Sequence, residues 1–310
     1  MKQDKVATFC RALWRSEKEM VTRLAPLIDP NGRDRWGNTP LLMAAQYGDL
    51  AVVSLLVRRG ADVNQGRRLL TPITLAARRG DATLVEYLRD EGAAMSIVTW
   101  TYLGEDTRIA RELERDPLQA ELRDELGTPL IHHAAESLRP SIMTLLLNRG
   151  ASVAATDPNG ETPLHRVADL RQAPAAEAGA MATLLLDRGA DANARNWDNV
   201  TPLHQAVRAR NLAVVEVLLS RGADPNARDR SRGSTPLRRA VSGTGAGGTA
   251  GTAELMAPLT RLLLKYGADP DLRDKRGVSM ESSARDPKVR AVLDERRREK
   301  TAVRPPPHKR

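Results

Sequence analysis

Apolar residues recur along this chain in two alternating blocks. One is compact and rich in small side chains, as in Leu41-Leu42-Met43-Ala44-Ala45, and suits a helix that lies close to its neighbours. The other, as in Val52, Val53, Leu55 and Leu56, makes an apolar stripe at helical spacing. Each block therefore predicts one helix, and the two together a helix pair. Thr-Pro opens the first helix: Thr supplies a capping oxygen, and Pro at the first turn needs no amide donor. Asp49 or Asp81 opens the second, and Gly60 stops it, being at ease in the left-handed conformation that a helix end often needs. Ala61-Asp62-Val63-Asn64 then leads through a turn to the next Thr-Pro.

The pair recurs. Thr-Pro followed by an aliphatic residue begins at Thr39, Thr71, Thr128, Thr162, Thr201 and Thr235, with spacings of 32, 57, 34, 39 and 34. Gly-Ala runs in step at Gly60, Gly92, Gly150, Gly189, Gly222 and Gly267. Two markers in register define an internal repeat, and since no unit can bury its own apolar face, neighbours must stack. The gap of 57 hides a degenerate unit, Met95–Arg123. Aromatics are 3% of the chain, so the core is expected from Leu, Val and Ala in thin layers.

On these residues the chain resembles the ankyrin-repeat family. The family pattern, an Asp-x-x-Gly-x-Thr-Pro-Leu-His start and a Leu-Leu-x-x-Gly-Ala-Asp-x-Asn end, is matched well by Asp157–Asn193 and Asn196–Asn226. Elsewhere the chain departs from it. Leu69 stands where a hairpin Gly should precede Thr71, the hairpin before Thr128 is shortened to Asp124–Gly127, and Met95–Arg123 keeps the second-helix part alone. The resemblance covers residues 5–294. It implies an all-α solenoid of about eight helix-turn-helix units with β-hairpin loops, forming an array over residues 1–294. Residues 5–33 make an N-terminal unit and 274–294 a partial cap; a basic, Pro-containing disordered tail follows over 295–310. Two units are oversized, with extra residues at the turn between their helices around Arg171–Gly179 and Gly243–Thr252. Having lost its Thr-Pro start, the unit at Met95–Arg123 is expected to be the weakest joint.

Composition narrows the function classes. The net charge is +9, but residues 285–310 hold ten Lys/Arg against four Asp/Glu, so the basic character lies mostly in the tail. A single cysteine, Cys10, excludes an intrachain disulfide framework and a Cys-based zinc cluster, and it reads as buried filler among Val6, Phe9, Leu13 and Trp14. No apolar run follows Met1, so neither a signal peptide nor a membrane span is expected, and the chain reads as cytoplasmic. His165 and His204 sit at the family's Thr-Pro-Leu-His position, where His typically hydrogen-bonds backbone. No nucleophile motif such as Gly-x-Ser-x-Gly is present. The Gly-rich insertion lacks the Gly-Lys-Ser/Thr ending of a phosphate loop. No catalytic residue, metal or cofactor is expected.

The resemblance further implies docking on a concave face made by hairpin tips and exposed first-helix positions. Carried onto this chain, those positions are Arg35, Trp36 and Tyr47, then Arg67, Arg68, Arg78 and Arg79, then Trp197 and Arg208, then Arg230 and Arg232. Arg and Trp commonly anchor interfaces, although a hairpin Trp also serves as filler and an exposed Arg as plain solvated surface. The expected function is a non-enzymatic, monomeric scaffold or regulator that binds a protein partner, an acidic one being steered by the arginines. The alternative is an adaptor or inhibitor for nucleic-acid machinery, with the basic tail touching nucleic acid or an acidic partner. Acidic residues mixed through the array, and the lack of a nucleic-acid motif, weigh against it.

Overall fold

The computed structural model describes residues 2–47, 50–66, 69–171, 173–242, 252–284 and 286–302. Two compact units divide the chain, Met1–Ala151 and Ser152–Arg310. Five helix pairs make the first: α1 (Lys2–Trp14) with α2 (Lys18–Leu24), α3 (Pro40–Tyr47) with α4 (Leu50–Arg58), α5 (Pro72–Arg78) with α6 (Ala82–Asp90), α7 (Ile97–Leu103) with α8 (Asp106–Arg115), and α9 (Leu130–Glu136) with α10 (Pro140–Asn148). The second holds α11 (Pro163–Ala168) with α12 (Ala175–Asp187), α13 (Pro202–Ala209) with α14 (Leu212–Ser220), α15 (Pro236–Ser242) with α16 (Met256–Lys265), and a short α17 (Met280–Ser283) with α18 (Pro287–Ala302). Within each unit the first helices pack in succession, α1 on α3 through to α9, and α11 on α13 through to α17. Their inward faces are small and aliphatic, for example Leu41, Ala44 and Ala45, then Leu203, Ala206 and Val207, all buried.

The Gly-Ala marker is a helix stop with a defined bond pattern. Gly222 has φ +82°, which a side chain rarely tolerates. The next amide, Ala223, reaches back to the Leu218 carbonyl at 3.0 Å, and the buried Ala methyl closes the end. The same bond joins Ala61 to Leu56, Ala93 to Leu88, Ala151 to Leu146, Ala190 to Leu185 and Ala268 to Leu263. Three residues past the Ala, an Asn bridges onward. Asn193 donates to the Gly222 carbonyl at 3.0 Å and accepts from the Asp224 amide at 2.7 Å. Asn31, Asn64 and Asn226 make the corresponding pair of bonds with Gly60 and Asp62, Gly92 and Ala94, and Gly267 and Asp269.

The hairpins are tight turns built on an acidic or amide side chain. Asp34 Oδ1 accepts from the Trp36 and Asn38 amides, both at 2.9 Å. Asp124, Asp157, Asn196 and Asp274 repeat this with the residues two and four positions on. Among the described residues no strand forms, and an isolated bridge joins Arg123 to Pro129.

Three local expectations are corrected. The segment Met95–Arg123 keeps both helices: Ser96 caps α7 in place of Thr-Pro, accepting from the Thr99 amide at 3.2 Å while Thr99 Oγ1 takes the Ser96 amide. The turn before Thr128 has the full bond pattern, and the missing residue is felt one step later. Thr128 takes the turn position held by Asn38, and Pro129, without a capping side chain, becomes the N-cap of α9. The extra residues near 171–179 are partly helical, giving α12 13 residues where α10 and α14 have 9. Ala175-Ala176-Glu177-Ala178 follows Pro174 there, and strong helix formers turn added length into an added turn. The second insertion lies outside the described residues up to Gly251; α18 runs through residues 294 and 295, and the tail beyond Ala302 lies outside them too.

Candidate interaction surface

In the first unit, Arg35 lays its guanidinium over the Trp36 ring, 4.0 Å from the centroid, and the ring stays half-exposed. Tyr47 is exposed at the end of α3. Arg67 and Arg68 lie outside the described residues. Arg79 hydrogen-bonds the Ala45 carbonyl at 3.2 Å and so ties α5 to the end of α3. Arg78 belongs to a polar chain that crosses three helix pairs. It donates to Glu136 at 2.8 Å; Tyr102 donates to the other Glu136 oxygen at 3.0 Å and lies 2.9 Å from His133 Nδ1; His133 Nε2 lies 3.3 Å from Asp124. Burial works to raise the Asp124 pKa, but hydrogen bonds from His133 and from the Thr128 and Leu126 amides outweigh it and hold it below the usual value.

In the second unit the turn tips are joined backbone to backbone. The Trp197 amide donates to the Asn159 carbonyl at 3.1 Å, Arg230 to Asp198 at 2.7 Å, and Lys275 to Arg232 at 3.0 Å. Trp197 also donates from its ring to the Pro158 carbonyl at 2.9 Å, and its indole lies where a Cβ on Gly160 would approach to 2.8 Å. Trp197 thus fills the hairpin while leaving 64% of its surface exposed. The two histidines beneath these tips are structural. His204 is fully buried; its Nδ1 accepts from the Thr201 amide at 3.2 Å, which makes Nε2 the protonated nitrogen, donating to Ser234 of the next pair at 2.9 Å. His165 repeats this with Thr162 and Val200. Burial lowers the pKa of both, to about 4 for His204.

At the next Thr-Pro-Leu, the His position holds Arg238, which donates to the Val278 carbonyl at 2.9 Å and reaches Asp274 at 3.2 Å. Its neighbour Arg239 pairs with Asp229 at 3.0 Å. Hydrogen bonds from the Val278 and Arg276 amides, with Arg238 and Arg276 nearby, hold the Asp274 pKa low against desolvation. At Asp229, burial is outweighed by Arg239 and by the Ser234 and Arg232 amides. Around these pairs lies a cavity of about 370 Å³ whose lining includes six arginines, at positions 208, 210, 232, 238, 239 and 276, against two aspartates, Asp229 and Asp274. Two of the expected contact residues, Arg208 and Arg232, are therefore brought together here. The other four were missed, although the Arg-Arg pair after Thr-Pro-Leu, where the two preceding units place a single His, was a visible signal. Among the described residues no three His, Cys, Asp or Glu side chains are grouped to hold a metal ion, and no helix is long and apolar enough to cross a membrane.

Stacked helix pairs with capped turns define a helical-repeat protein. A family profile of ankyrin repeats (3 copies) matches residues 9–99, 131–229 and 175–274, and the chain belongs to the ankyrin-repeat family. Ankyrin repeats are generally protein–protein interaction modules. One similar solved structure is the ankyrin repeat domain of Bcl-3, described as a unique member of the IkappaB protein family. It is 26% identical, covers 83% of this chain and 99% of its own, and superposes with a TM-score of 0.49. No curated protein matches the chain significantly.

Proposed function

We propose that this chain is a non-enzymatic cytoplasmic scaffold or regulator that binds a protein partner through its turn tips and the adjoining first-helix positions. The observation that carries the proposal is the bonded row of tips in the second unit. Backbone hydrogen bonds hold Trp197, Arg230 and Arg232 in place while all three side chains remain exposed. A surface fixed before binding loses little entropy on docking. Trp and Arg are the side chains that most often anchor interfaces, and the surplus of arginine would steer an acidic partner.

A tagged pull-down with and without nuclease tests this, comparing the full chain, a version ending at Asp294 and the variant Arg230→Glu. A defined protein that survives nuclease and tail removal but is lost with R230E is the expected result. Recovery that vanishes with nuclease, or with the tail, would transfer the function to the basic segment and to nucleic acid.

A further inference from the structure

We propose that the arginine-lined cavity of the second unit receives a phosphate monoester carried on a side chain of the partner, an inference that deepens the scaffold reading and rests on it. Of the six arginines, Arg238 and Arg239 are matched by Asp274 and Asp229. Arg208 holds Asp169 at 2.9 Å, yet its Nε is buried without a hydrogen-bond partner. Arg210, Arg232 and Arg276 have no carboxylate within ion-pair distance among the described residues. These three come from separate places: the end of α13, the turn before α15 and the turn before α17. A guanidinium does not lose its proton in a protein, so the charge gathered here is answered by an anion rather than by titration.

The charge and shape of the lining select the anion. A phosphate monoester brings about −1.5 to −2 charges at pH 7 and three strong acceptor oxygens, against one charge and two oxygens for a carboxylate. Guanidinium forks bind such oxygens in pairs. Behind the arginines the wall is apolar: Val207, Met256 and Leu259 are all buried and line the same space. The volume of about 370 Å³ is within the range of ligand pockets, about 300–1,000 Å³. A hydrocarbon or aromatic stem can therefore follow the phosphate in.

Isothermal titration of the full chain with phenyl phosphate, inorganic phosphate and benzoate is the test. Phenyl phosphate is expected to bind at one site per chain, with benzoate about ten-fold weaker or more. The double variant R232A/R276A should lose about ten-fold in phenyl phosphate affinity at unchanged helicity and melting temperature; Arg276→Lys, which keeps the charge but not the fork, should lose part of it, and R111A, at an exposed position of α8, none. Absence of saturable phenyl phosphate binding, equal binding of benzoate, or a double variant that binds normally would overturn the proposal. Inorganic phosphate binding as tightly as phenyl phosphate would overturn the assignment to a side chain. If the protein captured by pull-down is retained by R232A/R276A, this inference falls and the scaffold reading stands. Phenyl phosphate binding without any captured protein would support the anion site and sink the scaffold reading.

Discussion

Mild acid should loosen the second unit, and His204 should account for most of the loss. In the folded chain this ring is fully buried; its Nδ1 accepts from the Thr201 amide at 3.2 Å and lies 2.9 Å from Thr201 Oγ1, so a proton added there forfeits the bond from the amide and places a charge in the core. Burial and the nearby Arg239 lower its pKa from 6.5 to about 4. Below the ordinary value of 6.5 the unfolded chain takes up a proton that the folded chain refuses. The stability is therefore present above pH 6.5 and drains away as pH falls towards 4. Linkage puts the loss at about 2 kcal/mol between about pH 7.5 and pH 5, and about 3 kcal/mol once pH 4 is reached. The aspartates with lowered pKa, Asp124, Asp229 and Asp274, begin to lose their contribution as pH falls through the ordinary carboxylate range, so they scarcely enter the upper window. Urea unfolding at about pH 7.5 and pH 5, for the natural chain and for His204→Gln, isolates the effect. The variant should be less stable at the higher pH and lose about 2 kcal/mol less on acidification. Equal acid losses in the two proteins would refute the reasoning; His165, lowered in the same direction, supplies part of what remains.

Other outcomes follow from the bonds between pairs. Asn193→Ala removes both bonds to the following pair and should cost about 1–2 kcal/mol in urea unfolding. The converse, Ala154→Asn, places an Asn where that bridge is missing and should add up to about 1 kcal/mol. Ser96→Ala should destabilise the α7–α8 pair by about 1 kcal/mol, read as faster hydrogen exchange of the α7 amides with little change in α14. Cys10 is buried, and burial, with the negative charge of Asp34, pushes its pKa up to about 12. Iodoacetamide near neutral pH should therefore leave Cys10 unmodified in the folded chain and label it in urea, as mass spectrometry would show.

The regular parts of the fold were readable because each signal is local. Thr201 with His204, and Gly222 with Ala223, act within a few residues of themselves. Where a different residue met the same physical need, the reading failed: Ser96 and Thr99 make a capping box without a proline, so α7 was hidden. At Thr128 a single missing residue shifted the turn against the helix, and the Thr-Pro that marks other helix starts ceased to be a cap. The cavity was harder still. Its arginines come from stretches far apart in sequence, and the stacking that gathers them is a property of neighbouring pairs rather than of any one repeat. Exposed arginine as a type was legible; which arginines already have a carboxylate was not, because Asp169, Asp229 and Asp274 reach them across turns and pairs.

The asparagine bridges also show what the array ignores. Asn193 reaches a glycine 29 residues ahead, and Asn226 reaches the corresponding glycine 41 residues ahead with the same two bonds. The sequence between α15 and α16 has lengthened while the spacing of the layers has not. Lengthening a connection about four-fold raises its closure entropy by only about 1 kcal/mol. That junction is therefore a port, a place where sequence can be added, exchanged or grafted without the rest of the stack registering the change.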